Sequence, residues 1–476
     1  MKKFIGAFAL TVVFAVSLQA QTNPLLMTTM AVVKDMGLGI NLGNTFEAVI
    51  VCNPDDQDYQ GCKNWVNGME TLETSWGSPT ITEAMIKGYA DAGFKTVRIP
   101  VAWSNKMAGD ERNGTYTISP ALLNRVQEVV GWVLDNGMYA IVNIHWDGGW
   151  WENFPTDSAE CMTKYKRIWE QVSNQFKNHS GYLIFESLNE EGVWQDVWNR
   201  HNNSGNKARA YGLLNAINQE FTTLVRASGG NNANRHLLIA GYATDINLTS
   251  DPMFKMPTDP QNRQAVSVHY YDPFGFTHLT QNESWAEMRL TWGTTADYNE
   301  LNDYMDKLKT TFVVKGIPVI VGEYGMAAPN RSESEIRNYT LAVAEAIYER
   351  NMCPILWDVQ LGDNETQYYY NRKANPPSLV DQQLATGFKE ITKDYITPTI
   401  LPQKLALNSA FATKNGIFLK VQRAARLEIY KVNGKQERVL SFKNGTHSVS
   451  LVDLPSGIYI AKVSFGNEKQ IFRITR

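Results

Sequence analysis

Two glutamates, Glu190 and Glu323, each stand just past an apolar run: Tyr182-Leu-Ile-Phe-Glu-Ser-Leu-Asn189-Glu190 and Ile317-Pro-Val-Ile-Val-Gly322-Glu323-Tyr324-Gly325. A carboxylate at the end of a buried strand is costly for a core and useful for acid–base work. Two of them, on strands far apart in the chain, can serve as a proton donor and a nucleophile or base, the pair that cleaves a glycosidic bond. Arg98 closes another apolar run, Thr-Val-Arg98-Ile-Pro, and a buried guanidinium needs an anionic partner. His145 and His269 end two further runs, the second followed by Tyr270 and Tyr271. Neither histidine belongs to an HxH or HExxH spacing, so no metal site and no cofactor are expected. A Gly-Xaa-Ser-Xaa-Gly elbow and a phosphate-cradling glycine loop are both missing, which disfavours an esterase or a nucleotide enzyme.

Such residues have to be brought to one place by the elements that carry them. Apolar runs at Leu38–Leu42, Thr96–Pro100, Tyr139–Ile144, Tyr182–Leu188, His236–Ala240, Ala265–His269, Pro318–Val321 and Cys353–Leu356 read as strands. Helical patterns fall between them, at Thr82–Ala92, Pro120–Asn136, Ser158–Lys177, Lys207–Ala227, Tyr298–Lys315 and Glu333–Arg350, with a weakly written one after Ala240. Eight alternations predict an α/β fold, a (β/α)8 TIM barrel. Glycines at 93, 137, 181 and 316 mark tight helix-to-strand turns and are expected to cap the preceding helices. The long connections, Gly43–Ile81, Tyr270–Ala296 and Trp357–Val380, all leave the C-terminal ends of strands, where the two glutamates lie.

Residues 1–20 read as a signal peptide: Lys2 and Lys3, an apolar run from Phe4 to Val16, and a small residue at Ala20. The run is short for a membrane span and no comparable stretch follows, so a secreted protein without a membrane span is expected, extracellular or held on the outer cell surface. Four cysteines are too few for a disulfide framework. Cys52 and Cys62 bracket a short loop and could pair, whereas Cys161 and Cys353 are placed at opposite ends of the barrel. Residues 405–476 carry twelve Lys and Arg against four Asp and Glu, although the whole chain has net charge −3. The acidic body speaks against nucleic acid as a partner. The expected division is 1–20 signal peptide, 21–396 barrel, 397–404 linker and 405–476 a small all-β sandwich, the whole a monomer.

Arg98, His145, Leu188-Asn189-Glu190, His269-Tyr270-Tyr271, Gly322-Glu323-Tyr324-Gly325 and Trp357-Asp358, in that order, resemble glycoside hydrolase family 5. The opening Gly39-Ile-Asn-Leu-Gly43-Asn44-Thr45-Phe46-Glu47 is similar to the first strand of the family's endo-β-glucanases, and the resemblance covers about residues 33–395. It implies that Glu190 is the proton donor and base and Glu323 the nucleophile of a retaining endo-glycanase. Asn189 would bond the sugar 2-hydroxyl, Arg98 and Tyr271 would hold Glu323 ionised, and His145 and His269 would line the same subsite over a Trp357 floor. Family members commonly have proline after the donor; here Glu191 follows, placed either to raise the donor's pKa or to face solvent. Glu186 lies deeper in the same strand and reads as a buried structural residue.

Trp146, Trp150, Trp151, Trp194 and Trp198 sit in loops on the working face and are expected to form a polymer-binding rim. The resemblance implies cellulose, mixed-linkage β-glucan or xyloglucan as substrate, with β-mannan an alternative, and a non-catalytic polysaccharide-binding barrel as the reading from another class. In the tail, Leu427–Val432, His447–Leu451, Ile458–Val463 and Lys469–Ile474 read as strands. The pattern Gly434-Lys-Gln…Leu451-Val-Asp-Leu-Pro-Ser-Gly-Ile-Tyr-Ile-Ala-Lys-Val463 resembles the type IX secretion sorting domain of the Bacteroidetes, implying secretion machinery as a partner. A carbohydrate-binding module is the rival, disfavoured because the unit has no tryptophan and Phe418, Tyr430, Phe442, Tyr459, Phe465 and Phe472 mostly alternate as core residues do.

Overall fold

The structure, a computed structural model, describes residues 23–49, 73–108, 115–360 and 368–393, and from Ser409 onward the strands of a second unit with parts of their turns. Eight parallel strands close a barrel: β1 (Gly39–Asn41), β2 (Thr96–Ile99), β3 (Tyr139–Asn143), β4 (Leu183–Glu186), β5 (Leu237–Ala240), β6 (Gln264–Tyr270), β7 (Val319–Tyr324) and β8 (Cys353–Leu356). They pair in sequence order and β8 returns to β1, with Gly39 opposite Ile355 and Asn41 opposite Arg98. All eight expected strands form. Each is buried along nearly its whole length, between the barrel interior and the helices outside, which is why the strands read as continuous apolar runs.

The helices fall where their periodicity placed them, at Glu83–Ala92, Pro120–Asp135, Ser158–Phe176, Lys207–Ala227, Thr295–Thr311 and Glu333–Glu349. The helix after β5 is a single turn, Ile246–Thr249. Gly93, Gly137 and Gly316 take the left-handed conformation expected of helix ends. Gly181 does not; it is needed for close approach instead, because a Cβ there would meet the backbone nitrogen of Leu25 at 2.7 Å.

Leu25 belongs to a feature the strand pattern did not announce. A short helix, Thr29–Asp35, is capped by Thr28 Oγ1 accepting from Ala31 N. Met27, Val32, Val33 and Met36 around it pack with Ile141, Ile184, Leu238, Ile320 and Ile355, the inward side chains at the N-terminal end of the barrel. That end is plugged, and the opposite end is left to do the work.

The second unit has seven antiparallel strands in two sheets. β9 (Ser409–Ala412), β10 (Gly416–Val421) and β13 (Gly445–Ser450) form one; β12 (Gln436–Phe442), β11 (Ala425–Lys431), β14 (Ile458–Phe465) and β15 (Glu468–Thr475) form the other. Its core is its own, built on Leu419, Leu427, Ile429, Ala461 and Val463. Four strands were expected. Of the three others, β12 is an edge strand that packs only the half-buried Leu440 and Phe442 against the core, a short alternation to read. Tyr459 and Phe465 are buried and Tyr430 and Phe442 half-buried; the side chains of Phe418 and Phe472 lie outside the described residues. Among the described residues Cys161 and Cys353 are buried free thiols, while Cys52 and Cys62, and the signal peptide, lie outside them. No described helix is long and apolar enough to cross a membrane.

Candidate active site

Arg98 organises the open end of the barrel. It points inward from β2, fully buried, and each of its nitrogens is used. Nε donates to Glu186 Oε2 at 2.6 Å, Nη1 to Glu323 Oε1 at 2.7 Å and to Asn41 Oδ1 at 3.0 Å, and Nη2 to Asn189 Oδ1 at 2.8 Å. A planar fork can hold four partners from the ends of three strands, β1, β4 and β7, at once. Glu186 is the partner that sequence reading set aside as structural. Its remaining acceptor sites take Asn143 Nδ2 at 3.1 Å and Ser267 Oγ at 2.7 Å. Asn41, Asn143 and Ser267 went unnoticed as site residues, although Asn41 and Asn143 are lone polar side chains in otherwise apolar strands and Ser267 stands two residues before His269, signals that could have found them.

Glu323 lies on β7, and its other oxygen accepts from Tyr271 OH at 2.9 Å. His269 stands between the two glutamates, with Nδ1 2.6 Å from Glu190 Oε1 and 3.5 Å from Glu323 Oε2. Its Nε2 is buried without a partner, so the ring proton belongs on Nδ1, from which it is donated to Glu190. A register shift aims this group. Val268 pairs with Val321, but His269 pairs with Glu323, so Gly322 is an extra residue at the barrel rim. A larger residue there would press on the site, since a Cβ would lie 3.1 Å from Ser267 Oγ and 3.2 Å from His269 Nε2.

A carboxylate oxygen of Glu190, one of Glu323 and a ring nitrogen of His269 lie within 4.8 Å of one another. The same trio could in principle ligate a cation, but the guanidinium 2.7 Å from Glu323 already neutralises that corner and would repel a second positive charge. His145 stacks on Trp357, centroids 5.7 Å apart and planes 6° from parallel. The structure therefore gathers Arg98, His145, Asn189, Glu190, His269, Tyr271, Glu323 and Trp357 at one end of the barrel.

A family description for cellulases, glycosyl hydrolase family 5, matches residues 56–363. The chain belongs to glycoside hydrolase family 5. Endoglucanase A of Paenibacillus barcinonensis is 34% identical over 377 residues, 73% of this chain and 87% of that protein. The xyloglucan-specific endo-β-1,4-glucanase of Bacteroides ovatus is 32% identical over 375 residues, 74% of this chain and 68% of that one. Among solved structures, a family 5 lichenase from Caldicellulosiruptor sp. F32, with cellotetraose, superposes with a TM-score of 0.67 at 32% identity, covering 77% of this chain and 95% of that one. A family 5 chain with these relatives is a glycoside hydrolase of the endo-1,4-β-glucanase type.

The electrostatics of this family 5 site follow from burial and from the fixed cation. Burial, with Arg98 and His269 adding to it, holds the pKa of His145 well below the ordinary value, so its imidazole is neutral. Burial and the nearby Glu323 and Glu190 push the Tyr271 phenol far up, so it remains a donor. At Glu190 burial pushes upward, but the hydrogen bond and charge of a cationic His269 outweigh it and hold the carboxyl below its ordinary value. At Glu323 burial prevails over the pull of His269 and Arg98, and the carboxyl is raised. With its one proton on Nδ1, His269 keeps the hydrogen bond to Glu190 but brings no charge, whereas Arg98 keeps its charge beside Glu323 at any working pH.

Two expectations need correction. Glu191 does not face solvent; it is 1% exposed, with one oxygen accepting from Asn189 N and the other without a partner. Burial, with Glu190 and Glu186 adding to it, pushes its carboxyl well up. The tryptophan rim is also mostly not a rim. Trp151, Trp194 and Trp198 are buried and Trp150 half-buried, their ring N–H groups bonded to Trp146 O, Trp151 O, Asn203 Oδ1 and Asp147 Oδ2. They build the loops, and of the five only Trp146 is exposed. A groove of about 560 Å³ between helices Thr295–Thr311 and Glu333–Glu349 contains none of the site residues.

Proposed function

We propose that the chain is an endo-acting, retaining β-glucanase, with Glu190 as proton donor and base and Glu323 as nucleophile. In the first step Glu190 gives its proton to the glycosidic oxygen, that C–O bond breaks, and a Glu323 oxygen bonds the anomeric carbon as a glycosyl ester. In the second, water loses a proton to Glu190 and attacks the same carbon, and the ester bond breaks to restore the Glu323 carboxylate. The observation that supports this reading is the spacing: an oxygen of Glu190 and one of Glu323 lie within 4.8 Å of each other. That gap belongs with the ~5–5.5 Å separation of retaining enzymes rather than the ~6.5–9.5 Å of inverting ones. The permanent donors Arg98 and Tyr271 favour Glu323 as the anion. Glu190, half exposed and held by His269 alone, is the group free to carry a proton in and out.

The other roles follow from what each group has left to give. Arg98 occupies Asn189 Oδ1, which turns the amide NH2 of Asn189 towards the sugar 2-hydroxyl. His145 and Trp357 make a stacked pair for the sugar on the non-leaving side of the bond. Cellulose, mixed-linkage β-glucan and xyloglucan are the substrate candidates, since the relatives' names include lichenase and xyloglucan-specific glucanase.

Glu323→Ala and Glu190→Ala test this reading, each expected to lose on the order of 10²–10⁴ in kcat on β-glucan. An aryl β-glycoside, whose leaving group needs no acid, should recover part of the loss for Glu190→Ala and none for Glu323→Ala. Wild-type activity in Glu323→Ala ends the assignment. Inversion in the NMR spectrum of the first product ends the mechanism, a preference for β-mannan ends the substrate class, and binding without any reducing-sugar release makes the barrel a binding protein.

We also propose export through a removed signal peptide and a sorting role for residues 405–476. What supports the latter is the Leu451–Val463 pattern and the tail's positive charge. A chain lacking 405–476 should keep its activity on soluble glucan yet stay behind in the periplasm of its host. Weakened binding to insoluble glucan with normal export would make the unit a binding module instead.

A further inference from the structure

Trp357 is the first residue past β8, and its ring is only half-buried. Its backbone N donates to Tyr324 O at 2.8 Å, so the chain still follows β7 as it reaches the mouth of the barrel. What fixes it beyond that point is a buried ion pair that begins one residue further on.

Asp358 and Arg372 are 0% and 2% exposed, and Arg372 Nη2 donates to Asp358 Oδ2 at 2.9 Å. The other carboxylate oxygen, Oδ1, accepts from Tyr369 N at 2.8 Å and from Tyr370 N at 2.9 Å, which draws the returning chain back against the strand end. Arg372 then reaches across the seam where the barrel closes. Its Nη2 also donates to Asp358 O at 2.8 Å, and its Nη1 donates to Gly43 O at 2.7 Å. Gly43 N completes the joint by donating to Asp358 O at 3.1 Å. One guanidinium therefore ties the backbone just past β8 to the backbone just past β1.

Gly43 brings this clamp to the indole ring. A Cβ there would stand 2.6 Å from Asp358 O and 3.1 Å from Trp357 Cζ2, so the ring lies directly against the residue that Arg372 grips. The clamp also reaches the nucleophile's strand, since Tyr369 OH accepts from Met326 N at 3.0 Å, three residues beyond Glu323. A buried ion pair carries a desolvation cost that packed apolar side chains do not, so stability alone is a poor reason to have one here. Fixed geometry is the better reason.

We propose that Asp358 and Arg372 are positioning residues that hold the Trp357 ring at the height and tilt needed to support the sugar on the non-leaving side of the scissile bond. The proposal rests on the reading of Trp357 as the floor of that sugar. Both residues act at one remove, by locking the backbone of Gly43 and Asp358 on either side of the ring. A lysine at position 372 keeps the positive charge but cannot grip Gly43 O and Asp358 together, so it frees the floor while leaving the charge balanced.

The test is a double-mutant cycle of Arg372→Lys and Trp357→Ala, read as kcat/KM on soluble β-1,4-glucan well below the melting midpoint of each variant. Arg372→Lys alone should lose roughly tenfold or more, because a small misplacement of a substrate-holding group is costly to rate. Added to Trp357→Ala, the same change should cost less than about twofold, since the group it acts through is gone. Full additivity of the two losses overturns the clamp. Wild-type kcat/KM in a destabilised Arg372→Lys also overturns it, and makes the pair a stabiliser only. If Arg372→Lys does not fold, Gly43→Ala presses on the same joint with the ion pair intact and takes its place in the cycle, with the same outcomes. Full activity in Trp357→Ala overturns the floor reading itself, and that single variant tells the two failures apart.

Discussion

Arg98 touches Glu186, Glu323, Asn41 and Asn189, so its substitution cannot be read through one partner. Arg98→Ala leaves Glu186 as an unpaired buried charge, a loss of about 3–5 kcal/mol in stability. Arg98→Lys keeps a charge and is the cleaner probe. A compact ammonium cannot bridge four groups, so Glu323 loses its close cation, its carboxyl rises further, and the acid limb of the kcat/KM profile should move to higher pH. An unmoved limb would make the arginine structural. Glu191 gives the converse case, a carboxyl that works uncharged. Glu191→Gln keeps an acceptor for Asn189 N and should retain most activity, whereas Glu191→Ala frees the turn that carries Glu190 and should lower kcat about tenfold or more. Equal loss in both would mean that the charge, not the acceptor, matters. The outward-facing groups of this site were legible from strand-end positions alone. Asn41, Asn143, Ser267 and the role of Glu186 were not, because whether a polar residue within an apolar strand faces a shared partner depends on the barrel's closure and register.

At the scale of elements, the eight strands were readable because burial on both faces leaves an uninterrupted apolar signature bounded by glycine. The plug helix Thr29–Asp35 was not, since about two turns of ordinary amphipathic sequence carry no periodicity long enough to stand out. The tryptophans differ for a related reason: loop position suggests exposure, but these loops fold back and pack Trp150 and Trp194 on Phe154 and Trp198 on Tyr211 and Tyr242. The plug makes its own prediction. Met36 is fully buried against the barrel floor, and Met36→Ala should cost about 2–5 kcal/mol in denaturant unfolding. KM should stay as it is, because the floor lies at the end opposite the glutamates. A raised KM at full stability would show that the plug communicates with the site.

The whole molecule should show a stability that falls from near-neutral to mildly basic pH. Burial raises Glu47 to about 7 and Asp147 and Asp358 to about 6. Each binds its proton more tightly folded than unfolded, so its contribution is complete below about pH 4 and is lost as pH rises through 6 to 7. Burial also holds His145, His179, His236 and His278 low, and their stabilisation grows as pH rises to about 6.5, so the carboxyl loss is read above that range. The melting temperature should drop between about pH 6.5 and pH 8; a rise over that interval would show that these carboxyls titrate normally. Below pH 4 the trend reverses, because Asp259 and Asp297, held low in the folded protein against burial by their arginine partners, begin to take up protons.

The two silent thiols carry a last consequence, for how this chain must be handled. Cys353 lies inside the barrel wall and Cys161 at its helix face, and burial pushes Cys161 up to about 11 and Cys353 higher. Disulfide exchange needs a thiolate and access, and the native fold denies both. Once unfolded, Cys161 and Cys353 become ordinary partners for Cys52 and Cys62. Refolding in air should then yield a mixture of cross-linked isomers, while refolding under reductant, with oxidant added only after the barrel has closed, should return a single species.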